Sequence, residues 1–229
     1  MPLPTIKCQI NFSTGASFGQ AFIIGTGIFG INVLADSATT IVDVSSLVQA
    51  IKVGRGRNPL TDVFQTGQMS IQIADQNGNF NPQNPSSPYY SLLQPLRKIT
   101  LSATDPATGT EWPIFAGYIT GYQYTQSRET GLVSYTTITA VDGFQLMNLA
   151  QVTTVSGATA GETTGSRIGD ILNQISWPNS MRDIDTGQTT VQADPGTART
   201  ALAALQTIAT SEYGSIYMDK NGRFVFQDR

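Results

Sequence analysis

Asp183 and Asp185 stand two residues apart, and in an extended segment their carboxylates would face the same way, as the acid–base pair of a glycosidase must. That chemistry needs one carboxyl raised in pKa by an apolar pocket, and Arg182 alongside points instead to ordinary ion pairing. Glu111 is a weaker acid–base candidate still. Asp75-Gln76-Asn77-Gly78-Asn79 places oxygen-bearing side chains at alternate positions, as a calcium loop does, but Phe80 and Ser86 occupy the places where that loop needs Gly and Glu. Turn formation is the better account, and Asp219-Lys220-Asn221-Gly222 fails as a calcium loop for the same reason.

Gly25-Thr26-Gly27-Ile28-Phe29-Gly30 matches the glycine spacing of a dinucleotide site and follows the strand-like Phe22-Ile23-Ile24. Such a site also needs a helix opening at the third glycine and an acidic residue about 20 positions on. Neither is present, so a strand–loop–strand connection is the reading. Arg55 and Arg57, set between Gly54 and Gly56, invite a phosphate, but two arginines are too few on their own. Cys8 lies in the alternating run Ile6-Lys7-Cys8-Gln9-Ile10 and reads as a small buried hydrophobe rather than a reactive thiol. Trp112, Tyr118, Tyr122 and Tyr124 fall at even spacing on one strand, either a sugar-stacking platform or a packed barrel face; the packed face is preferred. No catalytic, cofactor-binding or metal-binding residue is assigned, and no cofactor is expected.

Composition narrows the field. Histidine is absent, which removes Ser-His-Asp and Cys-His sites together with the commonest metal ligand. A net charge of −3 with no basic run argues against a sequence-specific nucleic-acid reader. Charged residues make up 13% of the chain, about half the ~25% usual in soluble domains, and Ser, Thr, Asn, Gln and Gly are abundant. Such a surface suits a protein embedded among other subunits. The single cysteine cannot form an intrachain disulfide, and the start Met-Pro-Leu-Pro-Thr lacks the pattern of a signal peptide. Ala21 to Ala35 is apolar but too short and too glycine-interrupted for a membrane span. A soluble protein made in a reducing cytoplasm is expected.

The elements that must position these residues are organised around Gly54 to Pro95. Met69, Ile71 and Ile73 alternate with Ser70, Gln72 and Ala74 as a half-buried strand does, and the Asp75–Asn79 turn ends it. Pro82, Pro85, Pro88 and Pro95 then punctuate an arm carrying Phe80, Tyr89, Tyr90, Leu92 and Leu93. Proline at that density forbids helix and central strand while the aromatics demand burial, so the arm must lie across a surface, its own barrel or a neighbouring subunit.

Around it, strands are expected at 5–12, at 39–53 with a break near Ser45-Ser46, and at 98–104, 112–125 and 133–141. A short helix over 144–149 and a Thr/Ser/Gly-rich linker over 151–165 follow. A helix capped by Ser166 runs to a stop before Pro178, and a second starts at Asp194-Pro195. A hairpin closes on Asp219–Gly222. The expected fold is mainly β: an antiparallel β-barrel or sandwich at 1–150, the linker at 151–165, and a smaller α+β domain at 166–229. The last strand has no evident sequence partner, so either the chain is an N-terminal piece of a longer polypeptide or other subunits complete the sheet.

The ordered series R-G-R-N-P-L-T-D-V-F-Q-T-G, D-Q-N-G-N-F-N-P, P-Y-Y-S-L-L-Q-P-L-R-K-I-T-L-S-A, W-P-I-F-A-G-Y-I, V-D-G-F-Q-L-M, W-P-N-S-M-R-D-I-D-T-G-Q and A-L-Q-T-I-A-T-S-E-Y-G resembles the N-terminal region of phage minor tail proteins, relatives of baseplate-hub proteins. The resemblance covers roughly Val42 to Arg229. It implies a non-enzymatic subunit closing the distal end of a tail tube: a homotrimer with pseudo-six-fold symmetry, in the virion. Its partners would be the tail tube or a distal tail protein and tip or fibre proteins. A carbohydrate-binding module and a cell-wall hydrolase are the alternatives.

Overall fold

The computed structural model describes residues 3–13, 40–58, 63–127 and 133–229, so the glycine match at Gly25–Gly30 lies outside the described residues. The chain forms two compact units, one of residues 1–54 and 67–141, the other of 55–66 and 142–229.

The first unit is built on a seven-stranded sheet of β1 (Thr5–Asn11), β2 (Ile41–Asp43), β3 (Val48–Asn58), β4 (Val63–Ala74), β5 (Lys98–Thr104), β6 (Glu111–Thr125) and β7 (Tyr135–Val141). The order across it is β2-β1-β5-β6-β7-β4-β3, and the β1–β2, β1–β5, β5–β6, β6–β7 and β4–β7 pairs are antiparallel. A flat sheet would hold β2 and β3 about 29 Å apart, six strand spacings. Only Val44 to Leu47 join them, a reach of about 18 Å. The sheet must therefore curl like a barrel, with the short turn at Ser45–Leu47 bridging its two end strands. One core follows from that curl: Val42, Ile51 and Val53 from the end strands pack with Ile10, Ile99, Ile119, Ile138 and Ile71 from the middle. Each fully buried isoleucine contributes about 1.5–3 kcal/mol.

The arm after β4 is a ribbon of turns stepping three residues at a time. The amides of Gly78, Asn81, Asn84, Ser87 and Tyr90 each donate to the carbonyl three residues back. Pro82, Pro85 and Pro88 sit second in successive turns, where a fixed φ suits the geometry. The side chains of Asn81, Asn84 and Ser87 accept from the amides of Gln83, Ser86 and Tyr89, two residues on. This Asn/Ser-Pro-x repeat satisfies its own backbone without helix or strand.

Phe80 and Leu93 enter the core, and Tyr89 packs on Phe12 and Phe80 with centroids 5.6 and 5.3 Å apart. Of the two surfaces the sequence allowed, the arm uses its own sheet; only Tyr90 among its aromatics stays half exposed.

Asp75 anchors the ribbon. Its buried carboxylate accepts from the amides of Asn79 (2.6 Å) and Phe80 (2.9 Å) and from Thr136 Oγ1 of β7 (2.7 Å). Asp75→Ala leaves three donors without their acceptor, two of them buried, so the expected loss is about 2–4 kcal/mol by denaturant titration. Parental stability in that variant would refute the anchoring role.

The second unit contains α1 (Gly143–Leu149), β8 (Gln151–Val152), α2 (Thr164–Gln174), β9 (Arg182–Ile184), β10 (Arg199–Thr200), α3 (Ala201–Glu212), β11 (Ser215–Met218) and β12 (Phe224–Gln227). β11 and β12 form the expected hairpin. β12 also has a partner the sequence did not reveal, pairing in parallel with β9 in the order β11-β12-β9. Phe144, Met147, Ile168, Ile171, Leu172, Leu205 and Phe224 are fully or almost fully buried in this unit.

Helix starts moved from their expected places. Thr163, not Ser166, caps α2, and Thr200 caps α3 six residues after Asp194. The contact division also differs from the composition boundary: it falls between Val141 and Asp142, and Val152 and Val155 of the Thr/Ser/Gly-rich segment are buried in the second unit. Sparse apolar residues at 151–165 concealed these two anchors.

Candidate functional site

The four aromatics of β6 do not share a face. The register shifts at Ile114 against β5 and at Thr120 against β7, and each extra residue turns the following side chains over. Tyr118 therefore falls on the opposite face of the strand from Phe115 and Ile119, beside Lys98 and itself 1% exposed, while Tyr122 faces inward next to Ile138. Burial pushes the Tyr122 phenol up in pKa, and burial with Arg97 nearby lowers Lys98. Trp112, at the start of the strand, is 56% exposed. A stacking platform for sugar needs coplanar, exposed rings, and this strand does not supply it.

Cys8 is fully buried, and desolvation together with Asp43 pushes its thiol up to about 12, so it stays protonated and unreactive. Glu111 meets Lys7 (3.1 Å) and the Ser102 hydroxyl (2.6 Å), and these hydrogen bonds, Ser102 first, hold it below the usual carboxylate range. Arg55 and Arg57 are exposed on β3, with Arg57 lying 6.0 Å from the Phe64 ring centroid.

In the second unit Asp183 and Asp185 are both exposed. Asp183 lies 3.7 Å from Arg223, and Asp185 accepts from the Asp228 amide. Arg182 turns away from both, donating to the Trp177 carbonyl and Asn173 Oδ1. The acid–base geometry considered from sequence is not assembled here.

Two buried charged residues that sequence reading passed over hold this unit together. Glu212, at the end of α3, is 0% exposed and accepts from Thr164 Oγ1 (2.7 Å) and the amides of Gln188 (3.0 Å) and Thr189 (2.9 Å). Burial alone would raise its pKa, but these donors overcome it and hold the carboxyl below the ordinary value. A lowered pKa means the clasp is complete above the unfolded carboxylate range and weakens as pH falls through the folded value. Arg167 of α2, also buried, pairs with Glu162 and donates to the carbonyls of Thr159 (3.0 Å) and Gln192 (2.9 Å). Their partners lie as far as 48 residues away, so no local pattern announces them.

A cleft of about 400 Å³ runs beside α3, lined by Val191, Pro195, Ala204 and Ile208 with Arg167 and Arg199 at its walls. Both arginines are committed to carboxylates, Arg199 to Asp194. Among the described residues no group of three or more Cys, Asp or Glu could hold a metal ion.

No protein-family model and no curated protein sequence matches the chain. Solved structures do. The tail protein from Neisseria meningitidis MC58 is 12% identical over 77% of this chain and 45% of its own, with a TM-score of 0.47. The 43 kDa tail protein of prophage MuSo2 from Shewanella oneidensis is 14% identical over 82% and 52%, with a TM-score of 0.46. The E. coli c3393 protein, a type VI secretion component structurally similar to the T4 tail proteins gp27 and gp5, is 13% identical over 80% and 45%, with a TM-score of 0.48. The structural neighbours are tail proteins and a tail-like secretion component. The chain spans about half the length of each, and identities and scores this low carry no inference about activity or partners.

Proposed function

We propose that this chain is a structural subunit of a phage tail tip or baseplate hub, closing the distal end of the tail tube and joining it to tip or fibre proteins. In this reading it works in the virion as a homotrimer with pseudo-six-fold symmetry and catalyses nothing. The motif series from Val42 onward supports the family, and one geometric observation supports an assembly role. Trp112 pairs with Ala103, which pairs with Ile6, and Leu3 lies just beyond that row. Leu3 is 86% and Trp112 56% exposed, so one end of the first unit's sheet presents large apolar side chains to solvent. An exposed tryptophan is a favoured interface anchor. The buried side chains of Asp75, Arg167 and Glu212, by contrast, bond to the chain's own backbone. No helix among the described residues is long and apolar enough to cross a membrane.

The mass of the purified protein in solution, and its co-purification with tail-tube subunits, tests this. Association with tube subunits that falls about tenfold or more in Trp112→Glu is the expected outcome. A strictly monomeric protein with no affinity for tube subunits would end the proposal. Cell-wall hydrolysis abolished by Asp183→Asn or Asp185→Asn would replace it with an enzyme.

A further inference from the structure

The cleft beside α3 has an unused strand edge along one wall. Thr190 bridges Thr163 as an antiparallel pair whose hydrogen bonds lie on either side of it, Thr164 N–H to the Thr189 carbonyl and Val191 N–H to the Glu162 carbonyl. In such a pair the peptide groups of the central residue point the other way. The Thr190 N–H and C=O and the Gln192 N–H accordingly make no hydrogen bond among the described residues, and both residues are exposed. The Gln192 carbonyl, two residues on from that of Thr190 and facing the same way, meets Arg167 in the wall of the cleft, so the open edge runs along the cleft. The other wall is α3, which presents Ala204, Thr207, Ile208 and Ser211, a single helix face at i, i+3, i+4 and i+7. Arg167 also has donors to spare. Its Nε serves Glu162 and its Nη2 two carbonyls, which leaves Nη1 with no acceptor among the described residues on a side chain only 5% exposed.

We propose that this cleft binds an extended, uncharged segment of a partner polypeptide, laid as an added strand against Thr190–Gln192 with an apolar side chain on Ala204 and Ile208. The free groups specify a peptide. A donor and an acceptor on one residue and a second donor two residues on are the ladder of a missing neighbour strand, and an extended main chain offers the matching series. Arg167 Nη1 supplies one further donor, for a carbonyl of that segment. Charge complementarity selects a neutral occupant. Arg167 and Arg199 are already neutralised by Glu162 and Asp194, so an ion entering the cleft would lose its water with no opposite charge to meet. At about 400 Å³ the cleft takes a short segment rather than a folded domain. It belongs to the second unit and the Leu3–Trp112 end to the first, so the two surfaces are tested separately.

Isothermal titration of the full chain with blocked pentapeptides Ac-Thr-X-Thr-X-Thr-NH2, X being Val, Leu, Ile or Phe, tests this. At least one of the four binds saturably, and the amide resonances of Thr190 and Gln192 move as it does. N-methylation of that peptide at its X residues or at its Thr residues, in one of the two phases, weakens binding at least about tenfold, because only alternate amides of a strand face the edge. Asp in place of X weakens it as much, and so does Thr207→Glu, which carries a charge into the cleft from an exposed helix position. The peptide variants are read on the parent chain, so they decide the outcome whatever Thr207→Glu does to stability. No binding by any of the four, indifference to N-methylation in both phases, or tighter binding of the Asp peptide overturns the added strand. Self-association of the chain that Thr207→Glu abolishes would put a second copy in the cleft and equally overturn it.

Discussion

Gly165→Ala unfolds the second unit. Gly165 is the second residue of α2, and its amide donates to the Thr186 carbonyl at 3.0 Å, so the two backbones meet almost directly. A Cβ there would lie 2.6 Å from the Thr186 oxygen and closer still to that of Asp185. No side chain can rotate aside, because the obstacle is main chain. The contact is reciprocal: a Cβ on Gly187, which has φ +80°, would overlap Thr164 Oγ1. Separating the two segments also pulls Thr164 and Thr189 from Glu212, so the loss exceeds about 4 kcal/mol, in the range reserved for disrupted cores. Gly169 in the same helix has nothing within 4 Å of its would-be Cβ. Gly169→Ala should therefore stabilise by about 0.5–1 kcal/mol through helix propensity. Denaturant titration of both variants checks the pair, and similar effects from both would refute the close approach.

Arg167→Met costs the second unit about 3–5 kcal/mol, the usual consequence of removing one partner from a buried ion pair. The substitution leaves Glu162 and the carbonyls of Thr159 and Gln192 unpaired in one place. Arg167→Lys recovers only part of this, since one ammonium cannot reproduce a fork that serves a carboxylate and two carbonyls. Hydrogen exchange localises the effect: amides of Gly161 and Val191, paired with Val191 and Glu162 carbonyls, lose protection before those of α3. The double variant Glu162→Gln/Arg167→Met loses less than the two single losses together, because the second change removes a charge already stranded. Additive losses would show that the two side chains act independently.

What sequence revealed and what it hid divides along the range of each interaction. The 215–227 hairpin was legible because Asp219 ties its own turn, accepting from the Asn221 and Arg223 amides within four residues. The break at Ser45-Ser46 was legible for a similar reason: Ser45 bonds Asp43 two residues back. Asp194 misled because it has the chemistry of a helix cap but serves Arg199 and the Gly196 amide, leaving Thr200 to start α3. The bulges at Ile114 and Thr120 left no trace, since both residues look like ordinary members of an alternating strand. The β9–β12 pairing joins segments about 40 residues apart and carries no local signature. For the candidate surfaces, sequence identified Trp112 as notable but assigned the wrong companions, and the edge at Thr190 drew no notice because its bridge to Thr163 is invisible in a string of letters.

The outer end of the β3–β4 ribbon, residues 55–66, belongs with a unit whose remaining chain begins at Asp142. Phe64 stacks on Tyr217 at 4.9 Å, and the ribosome reaches Tyr217 about 150 residues later. At ~5–20 residues per second, Phe64 waits roughly 8–30 s for its partner, a window in which chaperones can hold the nascent ribbon. Dissection meets the same obstacle, because no single peptide bond separates the two units: a fragment starting at Asp142 leaves Tyr217 without its aromatic neighbour. The gene must be expressed as one piece for either half to be complete.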